Sequence, residues 1–314
     1  MNKKENLLKT INHDGPEWIP YCWEGALKVV TPTFTERPDL EGYDSWGCYW
    51  DHSEVTGTYP SENCRLKGAQ EIRGLEAPDP YAPGLLERAK REIGETDRNE
   101  TLVLCTNHIG IHERAYILLG MEDYLAELLI SNELIQILFD KIYDFKLKFA
   151  MRMLDELDID GIWMGDDWGT QHSMFFSPDM WRKMIKPHMR HIYDEIHGRG
   201  KLVFQHSCGK IEKIIPDLVE IGLDAWNPCQ PCNDLKKLKN EYGSMLTFMG
   251  GVDSEILDIK GDAEIKDEVR KRIDEMAAGG GYYLEPSHHV DFPKENIESF
   301  IKYAKLYGKI GPVI

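Results

Sequence analysis

His206 and Cys208 stand two positions apart in the run KLVFQHSCGK. Residues i and i+2 of an extended segment point to the same side, so an imidazole and a thiolate at this spacing can converge on one ion. Zinc accepts such a mixed nitrogen–sulfur set, and a catalytic zinc site uses three protein ligands and keeps one position open. The third ligand has several candidates: His288, 80 positions after Cys208, His289 beside it, Cys229, and the carboxylate of Glu24. The pair also has a plain structural use, with His206 satisfying a backbone carbonyl and Cys208 filling a small gap.

Asp166 and Asp167 are adjacent. In a strand they point to opposite faces, so one can face a pocket and work as an acid/base group while the other caps a loop or binds an Arg. Asp166, Asp167 and Glu24 are therefore the candidate catalytic carboxylates. Trp23, Trp46, Trp50, Trp163 and Trp168 lie near the same places, and Asn227 and Gln230 follow another apolar run. Trp23, Trp168, Asn227 and Gln230 are the expected pocket residues, giving an aromatic wall with a few polar groups. Arg114 and Arg65 are the candidates for holding an anionic group. Cys229 and Cys232 form a C-x-x-C, but Pro231 lies between them and no helix start of the redox type follows.

These residues need a scaffold that brings strand ends together. From about residue 100, short apolar runs alternate with long amphipathic segments. TLVLCT, GIWMG, KLVFQH, DAWNP, LTFMGG and GYYLEP read as strands, and WIPYCWEG reads as a first strand ending near Glu24. Between them lie helical stripes: one from Leu125 to about Leu157, one opened by Ser177 and Pro178 and interrupted at Pro187, IEKIIPDLVEIG, a charged helix at Ala263 to Ala278, and a last one from Ile297. Strand–helix alternation implies parallel strands with crossover helices. The expected fold is α/β, a (β/α)8 TIM barrel in a single domain over residues 1–314. A doubly wound sheet is disfavoured because no GxGxxG follows the first strand. In a barrel the working residues sit where strands end, and the residues singled out above sit there. About 40 residues after Val30 are rich in Trp, Tyr, Gly and Pro and show no periodicity. They are expected to form an extended loop region over the barrel mouth.

Composition narrows the class. The chain has 314 residues, 37 basic and 54 acidic, for a formal charge of −17. At 42% apolar it is no disordered chain. The charge disfavours nucleic acid and anionic membrane surfaces as partners. No run of about 20 apolar residues is present, and the start lacks the pattern of a signal peptide, so a cytoplasmic location is expected. Seven scattered cysteines do not read as a disulfide framework.

The segments INHDGPEWIP, GIHERAYILLGMEDYLAELL, GIWMGDDWGTQHSMFFSPDMWRKMIKPHMRHIYDEIHGRGKLVFQHSCGKI, IGLDAWNPCQP and GGGYYLEPSHHVDFPKENIESF resemble the uroporphyrinogen decarboxylase superfamily. The resemblance runs from about residue 10 to 308 and implies a (β/α)8 barrel. One branch of that superfamily decarboxylates uroporphyrinogen; the other holds cobalamin-dependent methyltransferases with zinc at H-x-C plus a distant Cys. The decarboxylase signature R-Q-A-G-R is absent, the corresponding stretch reading YCWEGALKVV, and H-S-C-G points to the methyltransferase branch. Where that branch has its distant Cys, Pro286 and Ser287 are followed here by His288. The resemblance thus implies zinc on His206, Cys208 and His288. It also implies methyl transfer between a small substrate (a methoxylated aromatic, an alcohol or a thiol) and a corrinoid carried by a separate protein, with Asp166 or Asp167 managing the proton. O-demethylation is one direction of that reaction. A metal-free decarboxylase-like lyase is the alternative.

Overall fold

The computed structural model describes residues 1–34, 36–38, 41–53, 57–60, 66–130 and 132–310. Ten strands occur among them: β1 (Leu27–Val30), β2 (Gly42–Tyr43), β3 (Tyr49–Ser53), β4 (Gly57–Pro60), β5 (Leu102–Asn107), β6 (Gly161–Gly165), β7 (Leu202–His206), β8 (Ala225–Cys229), β9 (Thr247–Val252) and β10 (Tyr282–Pro286). Seven form one parallel sheet in the order β1-β5-β6-β7-β8-β9-β10. Chain between the two edges draws the sheet into a barrel: Tyr21 bridges Leu284, Leu284 N–H donates to the carbonyl of Pro20, and Leu102 N–H donates to that of Ala26. The α/β barrel expected from the alternating pattern is present, with thirteen α-helices among the described residues.

The first strand differs from expectation. WIPYCWEG makes two isolated bridges, Trp18 to Lys309 and Tyr21 to Leu284, and then turns through a 3-10 helix at Cys22–Glu24, and Gly25 adopts φ 81 before the regular strand begins at Leu27. Glu24 therefore precedes β1 instead of ending it. The other six apolar runs coincide with β5 to β10.

Alternation along β6 and β7 decides which side chains face inward. Leu202, Phe204 and the ring of Trp163 pack with the cluster inside the lower barrel, whereas Val203 joins the layer between sheet and helices. His206 shares the face of Phe204, and its ring lies 6.4 Å from that of Trp163. By the same parity Asp167 follows Trp163 and Gly165 inward, and Asp166 turns out. Below, the helix Lys3–Ile11 closes the floor. Its N-terminus carries a capping box of Asn2 and Glu5, and Leu7 and Ile11 insert beside Leu102, Phe204 and Met249.

The outer helices follow their sequence signals. Ser177 Oγ accepts from Met180 N–H at 3.2 Å, Pro178 opens the helix Pro178–Met184, and Pro187 stands in the first turn of the next, Lys186–His197. The region after Val30, expected to be loop, contains the antiparallel sheet β2-β3-β4. It is pinned beside the end of β5. Asp44 accepts from Arg114 and from Trp50 Nε1 at 3.0 Å, and Glu36 accepts from Lys146 Nζ at 2.6 Å. Arg114 is thus fully buried against a carboxylate and is no holder of a free anion; Arg65 and Cys64 lie outside the described residues. No helix among the described residues is long and apolar enough to cross a membrane.

Candidate metal centre

The inward parity of β6 and β7 brings three side chains to one point. One ligand atom each from Asp167, His206 and Cys208 lies within 4.8 Å of the others. His206 Nε2 stands 3.4 Å from Cys208 Sγ and 3.6 Å from Asp167 Oδ1, and Cys208 N–H donates to Asp167 Oδ1 at 2.7 Å. Gly209 makes the turn possible, with φ 83; a Cβ there would stand 2.2 Å from the backbone of Gly169.

A second layer orients the imidazole. Asn227 Nδ2 donates to Glu285 Oε1, because a carboxylate only accepts. Asn227 Oδ1 therefore faces His206 Nδ1, 2.7 Å away, and receives its proton. The lone pair is left on Nε2, the atom that faces Cys208 and Asp167. Carboxylate- or amide-oriented histidines of this kind are characteristic of metal ligands. Glu285 also approaches His289 Nε2 at 3.6 Å and holds that imidazole above its ordinary pKa through the hydrogen bond.

The charge balance points the same way. Burial first, and the Asp167 carboxylate next, push the Cys208 thiol well above its usual range. Glu113, beside Asp166 and Asp167, is likewise driven toward its protonated form by burial and then by those two carboxylates. Among the described residues Asp167 has no Lys or Arg partner. A divalent cation would supply the missing positive charge, and the oxygen, nitrogen and sulfur donors suit zinc.

The other expected residues are distributed as follows. Asp166 is a capping carboxylate: it accepts from the N–H groups of His112 (3.1 Å) and Glu113 (2.9 Å), opening the helix Ile111–Leu119, and from Trp168 Nε1 (2.8 Å). Burial raises its pKa to about 6. Trp168 is wholly buried edge-on against Trp181, and Trp23 packs 4.9 Å from Phe300; neither lines the cavity beside Cys208. Glu24 accepts from Trp18 Nε1 at 2.9 Å beside Lys3, and burial lifts it to about 7. Cys229 is buried under Gly250 and Tyr282 and does not join the group.

A cavity of about 540 Å³ opens beside Cys208, lined by Gln171, Gln230, Asp253, Glu255 and His288 among others. Its lining is polar, holds no Trp, and includes neither Arg nor Lys. Gln230 ties three strand-end loops together: its Oε1 accepts from Gly209 N–H (2.7 Å) and Gln171 Nε2 (3.2 Å), and its Nε2 donates to the Ser287 carbonyl (3.2 Å). His288 shares the cavity but is exposed and held by its backbone to Ser254 Oγ at 2.8 Å. Asp167, not His288, stands with His206 and Cys208.

Sequence reading missed Glu113, Asn233 and His108. Asn233 caps the loop after Cys208, accepting from Ile211 and Glu212 N–H at 3.0 Å each and donating to the Gly209 carbonyl at 2.9 Å. His108, the residue after β5, was within reach of the strand-end rule, since it follows TLVLCTN directly.

Comparison with known proteins agrees with this architecture. A methyltransferase from Methanosarcina mazei has the same fold, with a TM-score of 0.73 over 98% of this chain and 99% of that one, at 16% identity. No curated protein matches the sequence. The family model of uroporphyrinogen decarboxylase (URO-D) matches residues 47–307. The chain belongs to the uroporphyrinogen decarboxylase family.

Proposed function

We propose that this chain is a zinc-dependent methyltransferase that moves a methyl group between a small polar substrate and a corrinoid carried by a separate protein. The observation that carries the reading is the convergence of Asp167, His206 and Cys208, three different donor atoms, at the edge of a polar cavity. The fold shared with a methyltransferase from Methanosarcina mazei supports it. Asn227 and Glu285 hold His206 in the ligating tautomer, and Gln230 fixes the loop that carries Cys208. Zinc, when bound, supplies a Lewis acid that draws charge from a substrate oxygen or keeps a thiol in its reactive anionic form. The polar lining favours an alcohol or thiol over a methoxylated aromatic. We take the protein to work in the cytoplasm, where a soluble corrinoid protein can meet the barrel mouth.

The family's name carries a second reading, a metal-free decarboxylase-like lyase. That chemistry calls for cations to hold the substrate's carboxylates, and the cavity lining offers none.

Metal content decides between them. Protein purified without chelator is expected to hold one zinc per chain. Asp167→Ala, His206→Ala and Cys208→Ala should each lose it, and His288→Ala should keep it. Equal, low zinc in wild type and all four variants removes the metal reading. Mixing the zinc-loaded protein with a reduced corrinoid protein and methanol, or with a methylated corrinoid protein and a thiol, should change the cobalt absorbance.

A further inference from the structure

His108 follows β5, and its imidazole lies against that of His206, with ring centroids 5.1 Å apart at 48°. The chain is held there under constraint. Ile109, the next residue, has φ 54, a left-handed conformation that a β-branched side chain adopts only under strain. Lys146 Nζ donates to the carbonyl of His108 and, at 3.2 Å, to Asn107 Oδ1, while Glu36 secures the same ammonium. Gly165 makes room for the ring: a Cβ there would stand 2.8 Å from His108 Cγ and Nδ1.

For all this support, the ring itself has no hydrogen-bond partner among the described residues. A neutral imidazole offers one donor and one acceptor, and both are left over. Nor is His108 a member of the converging group of Asp167, His206 and Cys208. Strain next to an unpartnered polar group is the pattern of a residue held for a ligand.

We infer that His108 is a substrate-contacting residue, whose imidazole hydrogen-bonds the hydroxyl, ether or thiol heteroatom of the small molecule held beside Asp167, His206 and Cys208. The inference rests on the metal reading above and adds the residue that would fix the heteroatom's direction.

Cobalt(II)-loaded protein tests it. Wild type, His108→Ala and His108→Asn are each loaded and titrated with 2-mercaptoethanol, following the sulfur-to-cobalt charge-transfer band. All three should take up one cobalt with the same resting ligand-field spectrum, which also confirms that the site is folded. His108→Ala should bind the thiol about tenfold more weakly, and His108→Asn, which keeps a donor and an acceptor, should recover most of the loss. Equal thiol affinity in wild type and His108→Ala overturns the inference. So does a changed resting spectrum in both variants, which would make His108 a ligand. If wild type takes up no cobalt, or His206→Ala retains it, the metal reading fails first and the role of His108 fails with it.

Discussion

Glu113 and Arg114 are neighbours in one helix, yet they belong to clusters built on opposite principles. Arg114, Asp44, Lys146 and Glu36 form a balanced set of two cations and two anions, nearly without exposure, that pins β2-β3-β4 to the barrel. Glu113, Asp167 and Cys208 crowd acidic groups together with one imidazole, and among the described residues no Lys or Arg forms an ion pair with either carboxylate. Burying a charge is costly unless it is paired. The first cluster meets that cost within the chain and reads as architecture. The second meets it only by staying protonated or by taking a cation from outside, and reads as a binding site.

The largest expected effect breaks the balanced cluster. Arg114→Met leaves Asp44 buried without its cation and should cost about 3–5 kcal/mol in urea unfolding. Cys208→Ala in metal-free protein should stay within about 1 kcal/mol of wild type, because nothing depends on its charge until a metal arrives. Comparable losses in both would erase the distinction. A smaller effect comes from the second layer. Asn227→Ala and Glu285→Gln leave all three donor atoms in place, and each should weaken zinc binding about 10–100-fold in a chelator competition. Unchanged affinity would mean that His206 is oriented by something else.

The smallest effect isolates burial from convergence. Glu24 is a partly buried carboxyl lifted by burial from 4.5 to about 7, away from the three donors. Its folded pKa lies above its unfolded one, so its contribution is fully present below about pH 4.5 and is lost as pH rises through about 7. Glu24→Gln should therefore flatten the fall in melting temperature across that window and leave zinc content unchanged. An unaltered pH profile would show that the carboxyl is not strained by its burial.

Much of this was legible along the chain. Six apolar runs gave six strands because each is short, apolar and flanked by turn residues. His206 and Cys208 could be paired because they are close in sequence and strand parity fixes their direction. The same parity put Asp166 and Asp167 on opposite faces but could not say which faced in, since that depends on Trp163 packing into the barrel with Phe204. The choice of Asp167 over His288 was hidden for a similar reason: the loop after β10 is steered by Ser254, a hydrogen bond between distant residues. The small N-terminal sheet left no periodic signal, because its strands are short and their anchor, Asp44 to Arg114, spans 70 positions. Arg114 looked like a holder of an anionic group for want of any sign of that partner.

The helix Lys3–Ile11, with Leu7 and Ile11 driven into the barrel floor, has a kinetic consequence. A vessel stoppered below has one rim for arrivals and departures. Two reactants that meet at His206 would have to share that rim, the smaller one inside before the larger covers it. Binding would then be ordered, and a tightly held product would act as its own doorkeeper.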